Sequence, residues 1–276
     1  MISSRRNPLV RRLRALSSRE GRQEYAMLLL EGTHFLVEVL RTPSIPHEVV
    51  FTRKWINNHP DVFKKIPQET QLREVTEAVL QAALSTNNPD GVASLFPIDA
   101  LPKATSKVDF VLALDRLQDP GNMGTLFRTA LAAEVDVLWL ALGADPLSQK
   151  TLRSSAGAVL KLPYERIGAS EELALKDFKD RLDNAVSEGF QVVASLAPTI
   201  QEISIPYWEL DWLKPTVLVL GNEGKGIHPS IKACCTHFIT LPHSENVDSL
   251  NVASAAVPML LERQRAKMRS EIQKQR

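Results

Sequence analysis

Residues 216–229, TVLVLGNEGKGIHP, run from an unbroken apolar segment into three glycines around one carboxylate and one lysine, and close on a proline. A short apolar run ended by turn residues reads as a strand buried on both faces, and such strands belong to parallel sheets covered by helices. Ligands of those sheets bind beyond the carboxyl ends of the strands, where this loop falls. It is not a Walker loop, because the spacing from glycine to lysine to Ser/Thr is wrong, and it is not G-x-G-x-x-G. Gly221, Gly224 and Gly226 let the backbone approach a ligand closely or take up positive φ. Glu223 puts a carboxylate where a phosphate is unwelcome, so the expected ligand is uncharged or cationic here. A strand-to-helix turn with an exposed glutamate is the plain alternative.

The same grammar repeats from Asp109 onward. FVLALD (110–115), VDVLWLAL (135–142), AVLKLPYE (158–165), FQVVASLA (190–197) and HFITLP (237–242) are further apolar runs, most separated by amphipathic segments such as EELALKDFKDRLDNAV (171–186). The expectation is an α/β domain with a mostly parallel sheet. Upstream, NPLVRRLRALSSREGRQEYAMLLLEG (7–32) reads as a basic helix leading into a strand at 27–30, GTHFLVEVLRT (32–42) as a helix, HEVVFT (47–52) as a strand, and TEAVLQAALST (76–86) as a helix capped by Thr76. These form a smaller α/β unit ending near Phe96. PIDALPKATSKV, with two prolines and no apolar period, is the expected linker, which gives domains at 1–97 and 109–276 joined by 98–108.

A chain of 276 residues is long enough for two cores. No apolar run approaches a membrane span, and the N-terminus lacks the apolar core of a secretory signal, so the expected location is the cytosol, although an Arg- and Ser-rich N-terminus is also the composition of organelle transit peptides. The only cysteines, Cys234 and Cys235, are adjacent and read as reduced core thiols; no metal site is expected. The net charge of +1 hides an uneven distribution: residues 1–25 carry seven arginines against two glutamates, and residues 261–276 carry six basic groups against two acids. Two basic ends on a near-neutral chain suit a polyanion, or are two solvated helix faces.

Two more loops carry polar residues at strand ends. In LDRLQDPGNMGTLFRTA (114–130) a strand ends at Asp115, DPGN makes a tight turn, and a helix begins around Asn122 or Met123 with Arg128 two turns into it. In ITLPHSENVDSLNVASAAVPMLLE (239–262) a strand ends at Pro242 and an Ala-rich helix begins at Ser249, with Ser249 and Asn251 facing the loop; a plain N-cap by Asp248 or Ser249 accounts for them as well.

Together, in order and spacing, the three loops resemble the motifs of the SpoU (TrmH) family of RNA 2′-O-ribose methyltransferases, within the SPOUT superfamily. DPGNMGTLFRTA is similar to motif 1, LGNEGKGI to motif 2 and LPHSENVDSLNVASAA to motif 3. NPLVRRLRAL, LLLEGTHFLVEVL and STNNPDGVASL are similar to the L30e-like RNA substrate-binding domain of many members. The resemblance implies a deep trefoil knot in the C-terminal domain, S-adenosyl-L-methionine contacted at Gly221, Leu241 and Leu250, a catalytic set of Asn122, Arg128, Glu223, Ser249 and Asn251, a homodimer, and RNA as partner; ribosomal RNA is the expected substrate, with transfer RNA as the alternative. A guanidinium is always protonated, so Arg128 is read as binding the neighbouring phosphate and stabilising a developing alkoxide rather than as a base. His243 and Glu245 stand where many members have Met and Gly, and His243 is read as a loop residue. Two other readings, a non-catalytic RNA-binding or assembly protein on the same fold and a nucleotide-dependent oxidoreductase, are opposed by the intact polar set and by the missing dinucleotide fingerprint.

Overall fold

The computed structural model describes residues 1–105, 107–168, 170–198 and 203–274; Arg276 of the basic tail lies outside them. Two compact units emerge, Met1–Pro102 with Pro146–Lys161, and Lys103–Asp145 with Leu162–Arg276.

The first unit contains α1 (Pro8–Ala15), α2 (Arg19–Tyr25), β1 (Met27–Glu31), α3 (Thr33–Val39), β2 (Glu48–Phe51), α4 (Arg53–Asn58), α5 (Pro60–Phe63), β3 (Gln71–Glu74), α6 (Glu77–Ala83) and β4 (Val92–Pro97). Its sheet runs β1-β4-β2-β3, antiparallel except between β2 and β3. Leu29, Val50, Ala93 and Leu95 pack against α1 and α6. Alternation along the strands sends Val49, Phe51 and Val92 to the other face, against Leu36 of α3 and Trp55 of α4. The single basic helix expected over the first 25 residues is two helices, because the Ser18 side chain accepts from the Gly21 amide and starts α2 afresh. Thr76 stands at the N-cap position of α6, but its hydroxyl makes no capping bond and is buried without a partner.

The second unit is built on β5 (Phe110–Asp115), α7 (Pro120–Ala132) and β6 (Val137–Ala141), then resumes with β7 (Tyr164–Ile167). The intervening α8 (Gln149–Ser155) belongs to the first unit, where the Gln149 side-chain amide donates to the Leu29 carbonyl at 2.8 Å. AVLKLPYE is therefore not one strand: residues 158–160 are a 3₁₀ turn of the first unit, and β7 starts at Tyr164. There follow α9 (Glu171–Ser187), β8 (Gln191–Leu196), β9 (Ile205–Pro206), β10 (Thr216–Leu220), α10 (Pro229–Lys232), β11 (His237–Thr240) and α11 (Val252–Lys274).

Seven strands form one sheet in the order β7-β6-β5-β10-β8-β11-β9, and every pairing is parallel. One face packs on α9 and α10 through Ala113, Trp139, Val192, Val217, Phe178 and Ile231. On α11, Arg263 is 3 % exposed and donates to the carbonyls of Trp212, Lys214 and Asp109, locking the helix to the chain entering β5 and β10. Both cysteines are free; burial pushes the Cys234 thiol up to about 11 and the Cys235 thiol up to about 12.

Candidate active site

Because β5, β10, β8 and β11 are adjacent and parallel, the segments that follow them open at one edge of the sheet. The chain order reverses there, β6 and β7 extending to one side of β5 and β8 to β11 lying on the other, which is the crevice where such sheets bind ligands.

At this edge the three loops are tied by a directional chain of hydrogen bonds. The amides of Ala253 and Ser254 donate to Asn251 Oδ1 at 3.0 and 3.1 Å, so Asn251 caps α11, which begins at Val252 rather than at Ser249; neither Asp248 nor Ser249 is the cap. Asn251 Nδ2 donates to Asn122 Oδ1 at 2.9 Å, and Asn122 Nδ2 donates to Glu223 Oε1 at 3.2 Å. Glu223 also accepts from the amides of Asp119 (2.9 Å) and Gln118 (3.0 Å). A carboxylate only accepts and helix amides only donate, so both amide side chains between them have one permitted orientation. Burial raises the Glu223 pKa, but hydrogen bonds from Gln118, Asp119, its own amide and Asn122 outweigh it and hold the carboxyl below its usual range. Asn122 reaches this chain because α7 starts at Pro120, with Asp119 as N-cap accepting from the Asn122 amide, and not at 122–123 as the turn reading expected.

Loop 221–228 supports the chain from beneath. Asn222 and Gly226 exchange backbone hydrogen bonds, and Asn222 Nδ2 donates to the Arg116 carbonyl at 2.9 Å. Gly226 takes φ +64°, as expected of a glycine there, but the crowding at Gly221 comes from the loop itself: a Cβ would lie 2.4 Å from Gly226 C and Ile227 N. Arg116 holds φ +54°, an uncommon conformation for a non-glycine residue, with its amide bonded to the Ala141 carbonyl at 2.9 Å and its guanidinium paired with fully buried Asp115 at 2.8 Å. Asp115 accepts in turn from the His228 amide at 2.7 Å.

Gly221, Leu241, Ser249 and Leu250 line a cleft of about 290 Å³ with Leu220, Val252, Ala255 and Met259, and Glu223 stands at its border. No lysine or arginine lines it, so the donor set suits a neutral or cationic group and not a phosphate. Arg128 is exposed on α7, does not line the cleft, and makes no hydrogen bond or ion pair among the described residues. The structure thus brings together seven of the eight sequence-derived positions and leaves Arg128 outside. Sequence reading passed over Asn222 and Asp119, whose spacing before a glycine turn and a helix is the signal for both, and it set aside His243, which lines the cleft.

A parallel sheet with a cleft at its carboxyl edge, free of lysine and arginine and bordered by an ordered carboxylate–amide chain, defines a protein that binds a neutral or cationic ligand at the switch point of its sheet. Residues 109–261 match the SpoU rRNA Methylase family and residues 7–94 the MRM3-like substrate binding domain. The chain belongs to the SpoU rRNA methylase family, RNA methyltransferases that use S-adenosylmethionine. It is 36 % identical over 269 residues to the "Uncharacterized tRNA/rRNA methyltransferase slr1673" of Synechocystis sp., covering 96 % of this chain and 93 % of that one. It is 28 % identical over 256 residues to the 23S rRNA (guanosine(2553)-2′-O)-methyltransferase RlmP of Bacillus subtilis, covering 92 % and 95 %. The AdoMet-bound rRNA methyltransferase from Sinorhizobium meliloti superposes with a TM-score of 0.77 at 28 % identity over 96 % of this chain and 97 % of that one.

Proposed function

We propose that this protein methylates a ribose 2′-hydroxyl of ribosomal RNA, in the cytosol, as a homodimer. The observation that carries the reading is the chain from α11 through Asn251 and Asn122 to Glu223, which joins the three loops beside the cleft. RlmP of Bacillus subtilis and the 23S rRNA (guanosine-2′-O-)-methyltransferase RlmB of Pseudomonas aeruginosa, 31 % identical over 193 residues, support the 2′-O and ribosomal parts.

S-adenosylmethionine, when bound, supplies a methyl group on a sulfonium. Gly221, Leu241 and Leu250 hold it in the cleft, and the border carboxylate of Glu223 tolerates its positive charge. Asn122 and Asn251 have their amides committed, so they position the loops and take no proton. Arg128, exposed and unpaired among the described residues, binds the phosphate next to the target ribose and stabilises oxygen charge as the hydroxyl loses its proton to a phosphate oxygen or water. Strand order supports the trefoil knot: β10 enters between β5 and β8, and β11 between β8 and β9. The dimer is supported by α11, where Val257, Leu261, Met268 and Ile272 are 37–59 % exposed at spacings that put them on one helix face.

The test maps 2′-O-methyl sites in total RNA with and without the gene. A ribosomal site lost on deletion, restored by the wild type and not by Asn122→Ala, is the expected result; an unchanged map ends the proposal. A lost site in transfer RNA instead would move the substrate and keep the chemistry.

A further inference from the structure

We propose that His243 is a cofactor-binding residue whose Nε2 accepts a hydrogen bond from the adenosine part of S-adenosylmethionine, an inference that rests on the reading just given. The ring is half-buried and lines the cleft beside Leu241 and Leu250. Its Nδ1 lies 2.8 Å from the Leu241 carbonyl oxygen. A carbonyl oxygen only accepts, so Nδ1 carries the proton, and in the neutral ring Nε2 is then a bare acceptor. No described residue donates to it. A half-buried acceptor left without a partner at the wall of a ligand cleft is satisfied when the ligand brings a donor.

Which donor follows from the wall. Leu220, Leu241, Leu250, Val252 and Met259 give the cleft apolar surface suited to a flat base, and His243 is only two residues from Leu241 in the chain, whereas the charged group of the lining, which suits the cationic end of an amino acid, is Glu223 on the 221–228 loop. The donors available on the base and its sugar are an exocyclic amine and hydroxyls. The Nδ1 bond to Leu241 fixes the ring plane and therefore the direction of Nε2, which makes the interaction directional rather than merely apolar.

Two substitutions, His243→Asn and His243→Gln, separate the two nitrogens. Asparagine places an amide near Nδ1 and can still donate to Leu241, but nothing reaches the place of Nε2; glutamine reaches that place and gives up the bond to Leu241. Calorimetric titration of the full-length protein with S-adenosylmethionine, S-adenosylhomocysteine and 5′-methylthioadenosine provides the readout, with melting temperature as the check on folding. The expected result is a roughly fivefold to tenfold rise in Kd for all three ligands in His243→Asn, the usual cost of one neutral hydrogen bond, and a change under about threefold in His243→Gln. Undiminished affinity in His243→Asn, or equal losses in the two variants, overturns the assignment. A loss for the two amino-acid-bearing ligands but not for 5′-methylthioadenosine overturns the adenosine part of it. A wild-type protein that binds none of the three removes the cofactor reading itself, a failure distinct from the others.

Discussion

Arg128 and Glu223 sit at opposite ends of the problem of charge. Arg128 spends nothing on the fold, so its replacement tests chemistry alone. Arg128→Lys keeps the positive charge and loses the planar fork; turnover on RNA should fall about a hundredfold or more while the calorimetric Kd for S-adenosylmethionine stays within about twofold. Near-wild-type turnover would remove Arg128 from the mechanism. Glu223, by contrast, is engaged by Gln118, Asp119, Asn122 and its own amide, and its pKa is lower in the folded state than in the unfolded chain. A depressed carboxyl contributes stability at pH values above its unfolded pKa, and the contribution disappears as pH falls through the folded pKa. Glu223→Gln should therefore melt below the wild type by a constant margin from about pH 6 to 8, and the margin should close as pH drops below about 4, near and under the ordinary glutamate value. A margin that is unchanged at about pH 3.5 would mean that the charge of Glu223 plays no part in holding motif 1.

Asn251 shows how one residue serves an element and a site together. As N-cap of α11 it satisfies helix amides, and through Nδ2 it orients Asn122. Asn251→Ser keeps a capping oxygen and loses the reach to Asn122, so it should leave stability nearly intact and depress turnover; Asn251→Ala should lose turnover and also about 1 kcal/mol of stability in urea unfolding. Equal stability of the two variants would deny the cap. Gly221→Ala is a sharper break, since the new methyl meets backbone of the same loop at 2.4 Å; the cleft should lose S-adenosylmethionine binding even where the protein remains folded. The elements themselves were unevenly legible. Apolar runs at β5, β6, β8, β10 and β11, and the amphipathic α9, announced themselves by period. The edge strand β3 did not, because Gln71, Leu72 and Arg73 are exposed and carry no apolar alternation, and α4 and α5 are too short for one. The start of α11 differs by three residues from the expected Ser249 because Asp, Ser and Asn are all good caps, and it is the bonds from the Ala253 and Ser254 amides to Asn251 Oδ1 that choose among them. Strand order, and with it the meeting of four strand ends, is a long-range property that local pattern does not encode.

At the scale of the whole molecule, charge has to be counted after folding. Of the seven arginines in the first 25 residues, Arg12 pairs with buried Glu48, Arg14 donates to the Ala82 carbonyl, and Arg22 is 3 % exposed and donates to the carbonyls of Leu16 and Ser17. In the C-terminal helix Arg263 is buried, Arg265 pairs with Glu262, and Lys267 lies 3.9 Å from Glu134. The basic ends are thus less available to a polyanion than their formal charges of +5 and +4 suggest, and Arg5, Arg6, Arg11 and Arg19, exposed at the N-terminal end, are what remains there. Changing these four to Gln should weaken RNA binding and flatten its dependence on salt by about 0.7–0.9 in the log–log slope for each phosphate no longer neutralised, with melting temperature unaffected; Arg22→Gln should instead lower the melting temperature. An unaltered slope would place RNA elsewhere. Met268→Glu should convert a dimer to a monomer in sedimentation, and a wild-type protein that sediments as a monomer would end the dimer proposal.

The bond from α11 through Asn251 and Asn122 to Glu223 has a further effect. Glu223 and the 118–122 turn can pair without the last helix, but until α11 arrives Asn122 Oδ1 has no donor and the far end of the chain of bonds stays open. Val252, Ala255 and Met259 of that helix also line the cleft, so a chain whose end has not yet docked has an unfinished pocket.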